Sequence, residues 1–307
     1  MGSLVWAVGI GLVWVAVAAG ATERILLQNK GSDTLVNAAQ AWAEAYARIK
    51  PGVAVAVSGG GSGTGIAALI AGTLDIANSS RALSDKELDL ARQQGRQPRE
   101  HIVGFDALAL YLHPNNPLAG FTKAQLAGIY GRDGPIRHWA DLGVSVPGCR
   151  AGKMVLVSRQ NNSGTYAYFK EYLVGARGRL RLGTLDLHGS KDVVDLVAHT
   201  PCALGYSGLG YSTAQVKLAC VAATDAGPCV LPTLRATLER TYPISRPLFL
   251  YTDGEPQGAV KDYLDWIQSD TGQCILAAQG YAPVRELNCG GPAPASTRPA
   301  NPGRALQ

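Results

Sequence analysis

Three short stretches set Ser, Gly and Thr against the start of an apolar helical pattern. They are Lys30–Thr34 (KGSDT), Gly59–Gly65 (GGGSGTG) and Asn161–Thr165 (NNSGT). The first N–H groups of a helix have no partner inside it and carry partial positive charge. Glycine lets the backbone come close to a ligand, and Ser and Thr hydroxyls add donors, so each stretch has the chemistry of an anion site. Ordinary N-capping accounts for any one of them taken singly. Three aimed at one point would form an anion trap made mainly of neutral dipoles. Arg159 ends a predicted strand just before the third loop and would offer an oxyanion a permanently charged fork. From position alone, a surface ion pair explains it equally well. Charge-assisted hydrogen bonds contribute roughly 1.5–3 kcal/mol each, and micromolar affinity needs about 8 kcal/mol. A handful of such bonds therefore suffices.

Nucleotide and hydrolase fingerprints fail on single residues. A P-loop needs Lys after its last glycine, where this chain has Ile66; G-x-G-x-x-G laid on Gly59 needs Gly where Thr64 stands. The G-x-S-x-G elbow fails around Ser62 at Thr64 and around Ser207 at Leu209. The five histidines (101, 113, 138, 188 and 199) lack metal-ligand spacing and read as surface or structural. Trp42, Trp139 and Trp266 read as core. Asp262 and Asp265, with Lys261, read as a solvated helix face.

The loops need strands and helices to hold them. Arg24–Gln28 reads as a buried strand, followed by a helix with Leu35, Ala38, Ala39, Trp42, Tyr46 and Ile49 at helical spacing. Ser32 or Asp33 is the expected cap and Pro51-Gly52 the stop. Val53–Val57 is the next strand, Gly65–Ala71 a helix, and Asp75–Asn78 a strand ending in SSR. Ser84 with Glu87, and Thr122 with Gln125, form capping boxes. Strand–helix alternation of this kind predicts α/β architecture with a mostly parallel sheet. His101–Leu112 is an apolar strand long enough to leave one lobe and enter another, and YPISRPLFLYTDG reads as the return crossing. Between them, Met154–Arg159 is a strand, the third loop enters a helix carrying Tyr168, Phe169 and Tyr172, and Ser190 opens a further helix. Ala259–Gln268 and Thr271–Gln279 close the pattern.

The chain has 307 residues, 47% hydrophobic and 17% charged, with a net charge of +5. These values suit one large or two modest globular domains. The basic residues are scattered, which argues against a nucleic-acid partner. Leu4–Ala21 is uncharged and ends in Ala19-Gly20-Ala21, an A-x-A cleavage pattern, although Met1-Gly2-Ser3 carries no Lys or Arg. A single uncleaved anchor is the competing reading; export with cleavage is favoured, with residues 1–21 as signal peptide. Six cysteines and no C-x-x-C pair point to disulfides in an oxidising compartment rather than to zinc. Cys220 and Cys229 flank a turn and would staple a hairpin. Cys274 with Cys289 and Cys149 with Cys202 complete one pairing among the roughly fifteen possible; free buried thiols are the other reading. Residues 289–307 are rich in Pro, Gly and Ala and read as a disordered tail.

Taken in order, GSDTLVNAAQAWAEAY, GGGSGTGIAALIAGTLDIANSSRALSD, SRQNNSGTYAYF, ALGYSGLGY, YPISRPLFLYTDGEP and VKDYLDWIQSDTGQCILAAQGYAPV resemble the phosphate-binding proteins of Pst-type ABC importers. The resemblance runs from Ile25 to Val284. It implies the type II periplasmic binding protein fold: two α/β lobes joined by two crossing strands, with residues 22–107 and 247–288 in the first and 108–246 in the second. It also implies a periplasmic or secreted monomer that takes inorganic phosphate between its lobes and passes it to a membrane ABC permease. Such a protein uses no cofactor and catalyses no reaction. The phosphate-binding residues it implies are Ser32, Asp33, Thr34, Ser62, Ser80, Arg159, Ser163, Gly164 and Thr165. The last four match the family's R-x-x-x-S-G-T segment. Many members place an Asp, which accepts the proton that phosphate has and sulfate lacks, where this chain has Ser80. The expectation is that Asp33 takes over that role, while Arg81 either adds charge to the cleft or forms a salt bridge. The alternatives are the same fold holding sulfate or molybdate, a secreted phosphatase-like hydrolase using a loop serine, and a sensory or adhesive surface protein.

Overall fold

The computed structural model describes residues 24–289. The apolar N-terminal segment and nearly all of the expected tail lie outside the described residues. Among those described, no helix is long and apolar enough to cross a membrane.

The first α/β unit contains β1 (Ile25–Gly31), α1 (Val36–Ile49), β2 (Val53–Ser58), α2 (Ser62–Ile70), β3 (Ile76–Ser79) and α3 (Asp85–Gln93). Strand β4 (Pro98–Leu112) then leads to β5 (Gly120–Thr122), α4 (Lys123–Tyr130), β6 (Val155–Arg159), α5 (Gly164–Val174) and β7 (Leu185–Leu187). After these come α6 (Ser190–Ala198), β8 (Ala203–Gly208), β9 (Lys217–Ala222) and α7 (Leu234–Leu238). The chain returns through β10 (Ser245–Asp253) to α8 (Gly258–Gln268) and α9 (Asp270–Ala278).

The strands form a curled sheet in the order β2-β1-β3-β10-β4-β8-β6-β7, with β9 bridging β4 and β5. Strand β4 changes partner along its length. Residues 98–107 pair with β10, and residues 108–112 pair with β8. Each side of that switch has its own core. One gathers Leu27, Trp42, Tyr46, Ile76, Leu248 and Tyr263; the other gathers Leu108, Phe121, Tyr130, Trp139, Phe169 and Tyr206. The two lobes of this architecture are thus joined through adjacent antiparallel strands, β4 and β10.

The helical stripe of α1 buries Ala38, Ala39, Trp42 and Tyr46, with Leu35 buried just before it, but Ile49, expected on the same stripe, is exposed at the last turn. Both capping boxes form: Ser84 Oγ accepts from the Glu87 N–H, and Thr122 Oγ1 from the Gln125 N–H at 3.1 Å. Trp266 packs partly buried against the first core, and Asp265 pairs with Lys261 on an exposed helix face. Other details depart from the sequence reading. Neither Ser32 nor Asp33 caps α1, which starts after Leu35 without a side-chain cap, because both side chains have partners elsewhere. Helix α2 begins at Ser62 rather than Gly65. Strand β10 begins at Ser245 rather than Tyr242. Pro243 has no N–H to give a ladder, and Ser245 Oγ donates to the Tyr242 carbonyl at 2.9 Å to close a turn there. Three disulfides form, Cys149–Cys202, Cys220–Cys229 and Cys274–Cys289. Arg81 is a salt-bridge residue, donating from both its terminal nitrogens to Glu87 at 2.7 Å.

Candidate functional site

The three Ser/Gly/Thr loops meet between the lobes. Parallel strands bring two of them together: β1 lies between β2 and β3, so the segments following all three strands emerge at one edge. Ser32 follows β1, Ser62 follows β2, and Ser80 follows β3. Ser32 Oγ donates to Ser80 Oγ at 3.0 Å, and Ser62 Oγ lies 3.4 Å from Ser80 Oγ. The Ser80 N–H donates to Ser62 Oγ at 3.1 Å. All three serines are buried. Ser62 therefore stands in the first turn of α2 and turns its hydroxyl to the cleft instead of capping its own helix.

The third loop arrives from the other lobe. Ser163 caps α5 by accepting from the N–H groups of Thr165 and Tyr166. That is the ordinary capping role, and it leaves the hydroxyl proton free to donate. Gly164 follows it, and only glycine fits there. A Cβ would lie 2.3 Å from Ser62 Oγ and 2.6 Å from Ser80 Oγ. Thr165 Oγ1 meets Thr34 Oγ1 at 2.9 Å across the cleft. The second and third loops also touch directly, with the Gly63 N–H donating to the Asn162 carbonyl at 2.9 Å. Asn162 Nδ2 donates to the Gly60 carbonyl at 3.0 Å. The lobes are closed on each other.

Arg159 sits at the C-terminal end of β6 and is buried. Its Nη1 donates to Ser190 Oγ at 2.8 Å, its Nε to the His188 carbonyl at 3.1 Å, and its Nη2 to Asp33 Oδ2 at 3.0 Å. Burial lowers the Arg159 pKa from its ordinary value, and Asp33 opposes that shift; an arginine remains charged all the same. The other Asp33 oxygen accepts the Gly60 N–H at 2.9 Å. Tyr211 donates to the Asp33 carbonyl. Burial first, and Asp33 second, raise the Tyr211 phenol above its ordinary value, so it stays a donor. Asp33 is thus the counter-ion of Arg159 across the cleft, with its side chain 18% exposed.

All nine residues expected at the site converge: Ser32, Asp33, Thr34, Ser62 and Ser80 from one lobe, and Arg159, Ser163, Gly164 and Thr165 from the other. Three partners were not anticipated. Ser190, read as a helix opener, orients Arg159. Arg246 and Asp106 lie opposite one another in the β4–β10 ladder, and both are fully buried. Arg246 donates to Asp106 Oδ2 from Nε at 3.0 Å and from Nη2 at 2.8 Å. It also reaches the Ser80 carbonyl at 3.2 Å, Thr34 Oγ1 at 3.3 Å and Thr165 Oγ1 at 3.0 Å. Burial pushes the Asp106 carboxyl above the usual range, while Arg246 and the Leu209 N–H pull it down. A charged residue inside an otherwise apolar strand, as in ISRPLFL and VGFDALAL, was the available sign: buried charge must be paired. Together the site offers a floor of hydroxyls, one helix start from each lobe and two guanidinium groups, which can replace the water shell of a small oxyanion. Among the described residues, no group of three or more His, Cys, Asp or Glu could hold a metal ion.

Comparison with known proteins places the chain in a family. The model of the PBP superfamily domain matches residues 16–271. The chain is 36% identical over 270 residues to the phosphate-binding protein PstS of Pseudomonas aeruginosa, covering 84% of this chain and 83% of that one. A structure from Clostridium perfringens, described as a phosphate ABC transporter substrate-binding protein with bound phosphate, superposes with a TM-score of 0.74 at 29% identity. The match covers 85% of this chain and 100% of that one. An ABC-type phosphate transport receptor from Vibrio cholerae gives a TM-score of 0.66 at 26% identity, over 83% of this chain and 99% of that one.

Proposed function

Because the chain belongs to the PBP superfamily, and within it to the family of PstS phosphate-binding proteins, we propose that it captures inorganic phosphate between its lobes and delivers it to an ABC permease. The observation that carries this reading is the convergence of hydroxyls and helix starts from both lobes on one buried point beside Arg159. Phosphate would take donors from Ser32, Ser62, Ser80 and Ser163, from the backbone at Asp33, Thr34 and Gly164, from Thr165 and from Arg159. In the closed form these groups bond one another, so the anion enters an open form and replaces the contacts between lobes with contacts to itself. Only the closed form makes both sets, and ligand shifts the balance toward it.

Asp33 is the acceptor that reads the phosphate proton. Its carboxylate has lone pairs beyond the two it gives to Gly60 and Arg159, and it lies beside the guanidinium that holds the anion. The protein acts as an exported, monomeric carrier and performs no bond-breaking chemistry. Calorimetric titration with phosphate, sulfate, arsenate and molybdate tests the whole reading. Heat with phosphate and little with sulfate is expected. No heat with phosphate and clear binding of another oxyanion would overturn it, and turnover of a chromogenic phosphate ester would overturn the carrier reading.

A further inference from the structure

The charge of this chain is unevenly divided. Residues 24–107 with 247–288 hold eleven Lys and Arg against fourteen Asp and Glu, whereas residues 108–246 hold fifteen against eight. In the first lobe most ion pairs are made: Lys50–Asp262, Arg96–Asp253, Arg99–Glu255 and Arg285–Asp270 among them. The second lobe keeps much of its positive charge unpaired. Arg132, Arg137, Lys153, Arg177 and Arg179 border two neighbouring grooves that share Arg132 and Asp133. Among the described residues, none of these five forms an ion pair. The larger groove encloses about 920 Å³.

Two leucines stand in the same groove. Leu182 is 87% exposed and Leu185 is 46% exposed. Both follow Arg181, which is committed to the carbonyls of Ile136, Gly128 and Gly134 and so holds the segment in place. The groove and the cleft lie at opposite ends of the same two strands. Strands β6 and β7 start beside it, at Val155 and Leu185, and run to Arg159 and Leu187 at the cleft end. At ~3.3 Å per residue that separation is about 13 Å along β6 and about 7 Å along β7.

We propose that this face docks on an anionic phospholipid surface. Unpaired basic side chains around a protruding leucine match a bilayer boundary, where headgroup phosphates meet acyl chains. A phosphate polymer or nucleic acid would complement the arginines and leave Leu182 in water, so the apolar tip decides for lipid. The docking is independent of phosphate capture, since none of these residues lines the cleft.

Co-sedimentation of the full chain with phosphatidylcholine vesicles, with and without phosphatidylglycerol, tests this. Binding is expected only with phosphatidylglycerol and should fall as salt is added. The Arg132→Gln/Arg179→Gln double variant should bind about thirtyfold more weakly, at roughly fivefold per arginine near the surface. Leu182→Ser should weaken binding by about tenfold. Titration of each variant with inorganic phosphate should match the parent, which shows the fold intact. Equal binding to phosphatidylcholine alone would assign membrane affinity to the apolar N-terminal segment and overturn the proposal. So would binding unchanged in the variants, or no binding to either vesicle. Capture of inorganic polyphosphate through the same arginines without vesicle binding would replace lipid with a soluble polyanion, and so would overturn it too.

Discussion

Two aspartate–arginine pairs hold this molecule together where its lobes meet, and they differ in every respect but chemistry. Asp33–Arg159 spans the cleft from one lobe to the other, with its carboxylate partly open to water. Asp106–Arg246 lies between neighbouring crossing strands with neither side chain exposed. In the proposed function the first is exchangeable: Arg159 would turn from a carboxylate to an incoming anion, and so keep a negative partner. The second is fixed, because nothing can replace Asp106 once water is excluded. Arg246 uses that fixed position to hold Thr34 and Thr165, one hydroxyl from each lobe. A working cleft thus needs one ion pair that lets go and one that does not.

Removing half of the fixed pair should have the largest effect. Asp106→Asn leaves a buried guanidinium without its counter-charge and should lower unfolding stability by about 3–5 kcal/mol, read from urea denaturation. Replacing both members, Asp106→Leu with Arg246→Met, should recover most of that stability but not phosphate affinity, since Thr34 and Thr165 lose their common donor. Equal recovery of both would make the pair purely structural. Next in size, Arg159→Met should cost one or two charge-assisted bonds of roughly 1.5–3 kcal/mol each, seen as a large rise in the calorimetric Kd for phosphate. Its stability should change far less than that of Asp106→Asn; a comparable loss would erase the distinction between the pairs.

Asp33→Asn should act mainly on selectivity. Competition calorimetry should show the preference for phosphate over sulfate reduced, and an unchanged preference would remove Asp33 as the proton acceptor. The smallest effect belongs to a third pair outside the cleft, Arg81–Glu87. Burial pushes the Glu87 carboxyl up, but the Arg81 fork and Ser84 outweigh it and bring the carboxyl below its ordinary 4.5. Its stabilisation is therefore fully present above 4.5 and disappears as pH falls through the lower folded-state value. Glu87→Gln should flatten that part of the acid-melting curve and leave phosphate affinity unchanged.

The exchangeable half of the site was legible in the sequence because its signals are local. Ser, Gly and Thr ahead of helical periodicity mark a helix start wherever it lies, and Arg159 stands four residues from Ser163. The fixed half was not. Asp106 and Arg246 are 140 residues apart, and only the strand register sets them side by side. The same limit explains the misplaced cap of α1. Ser32 has the side chain of a capping residue, but Ser80, reached through β3, gives it a tertiary partner that propensity cannot foresee. The start of β10 differs for a local reason: the apolar pattern runs back through Pro243, which has no N–H to pair, so the ladder opens only at Ser245.

The place of β10 in the sheet also orders the making of the molecule. Everything the second lobe packs around lies in one unbroken stretch, and two of its elements are tied there by Cys149–Cys202 and Cys220–Cys229. The first lobe is interrupted: between β3 and β4 its sheet has a gap that only β10 fills. A chain emerging from its N-terminus can therefore finish the second lobe while the first still waits for residues 245–253. The strand that completes the sheet also delivers Arg246 to Asp106, so the cleft acquires its fixed pair only after the second lobe's residues are all present, with α8 and α9 still to cover the first.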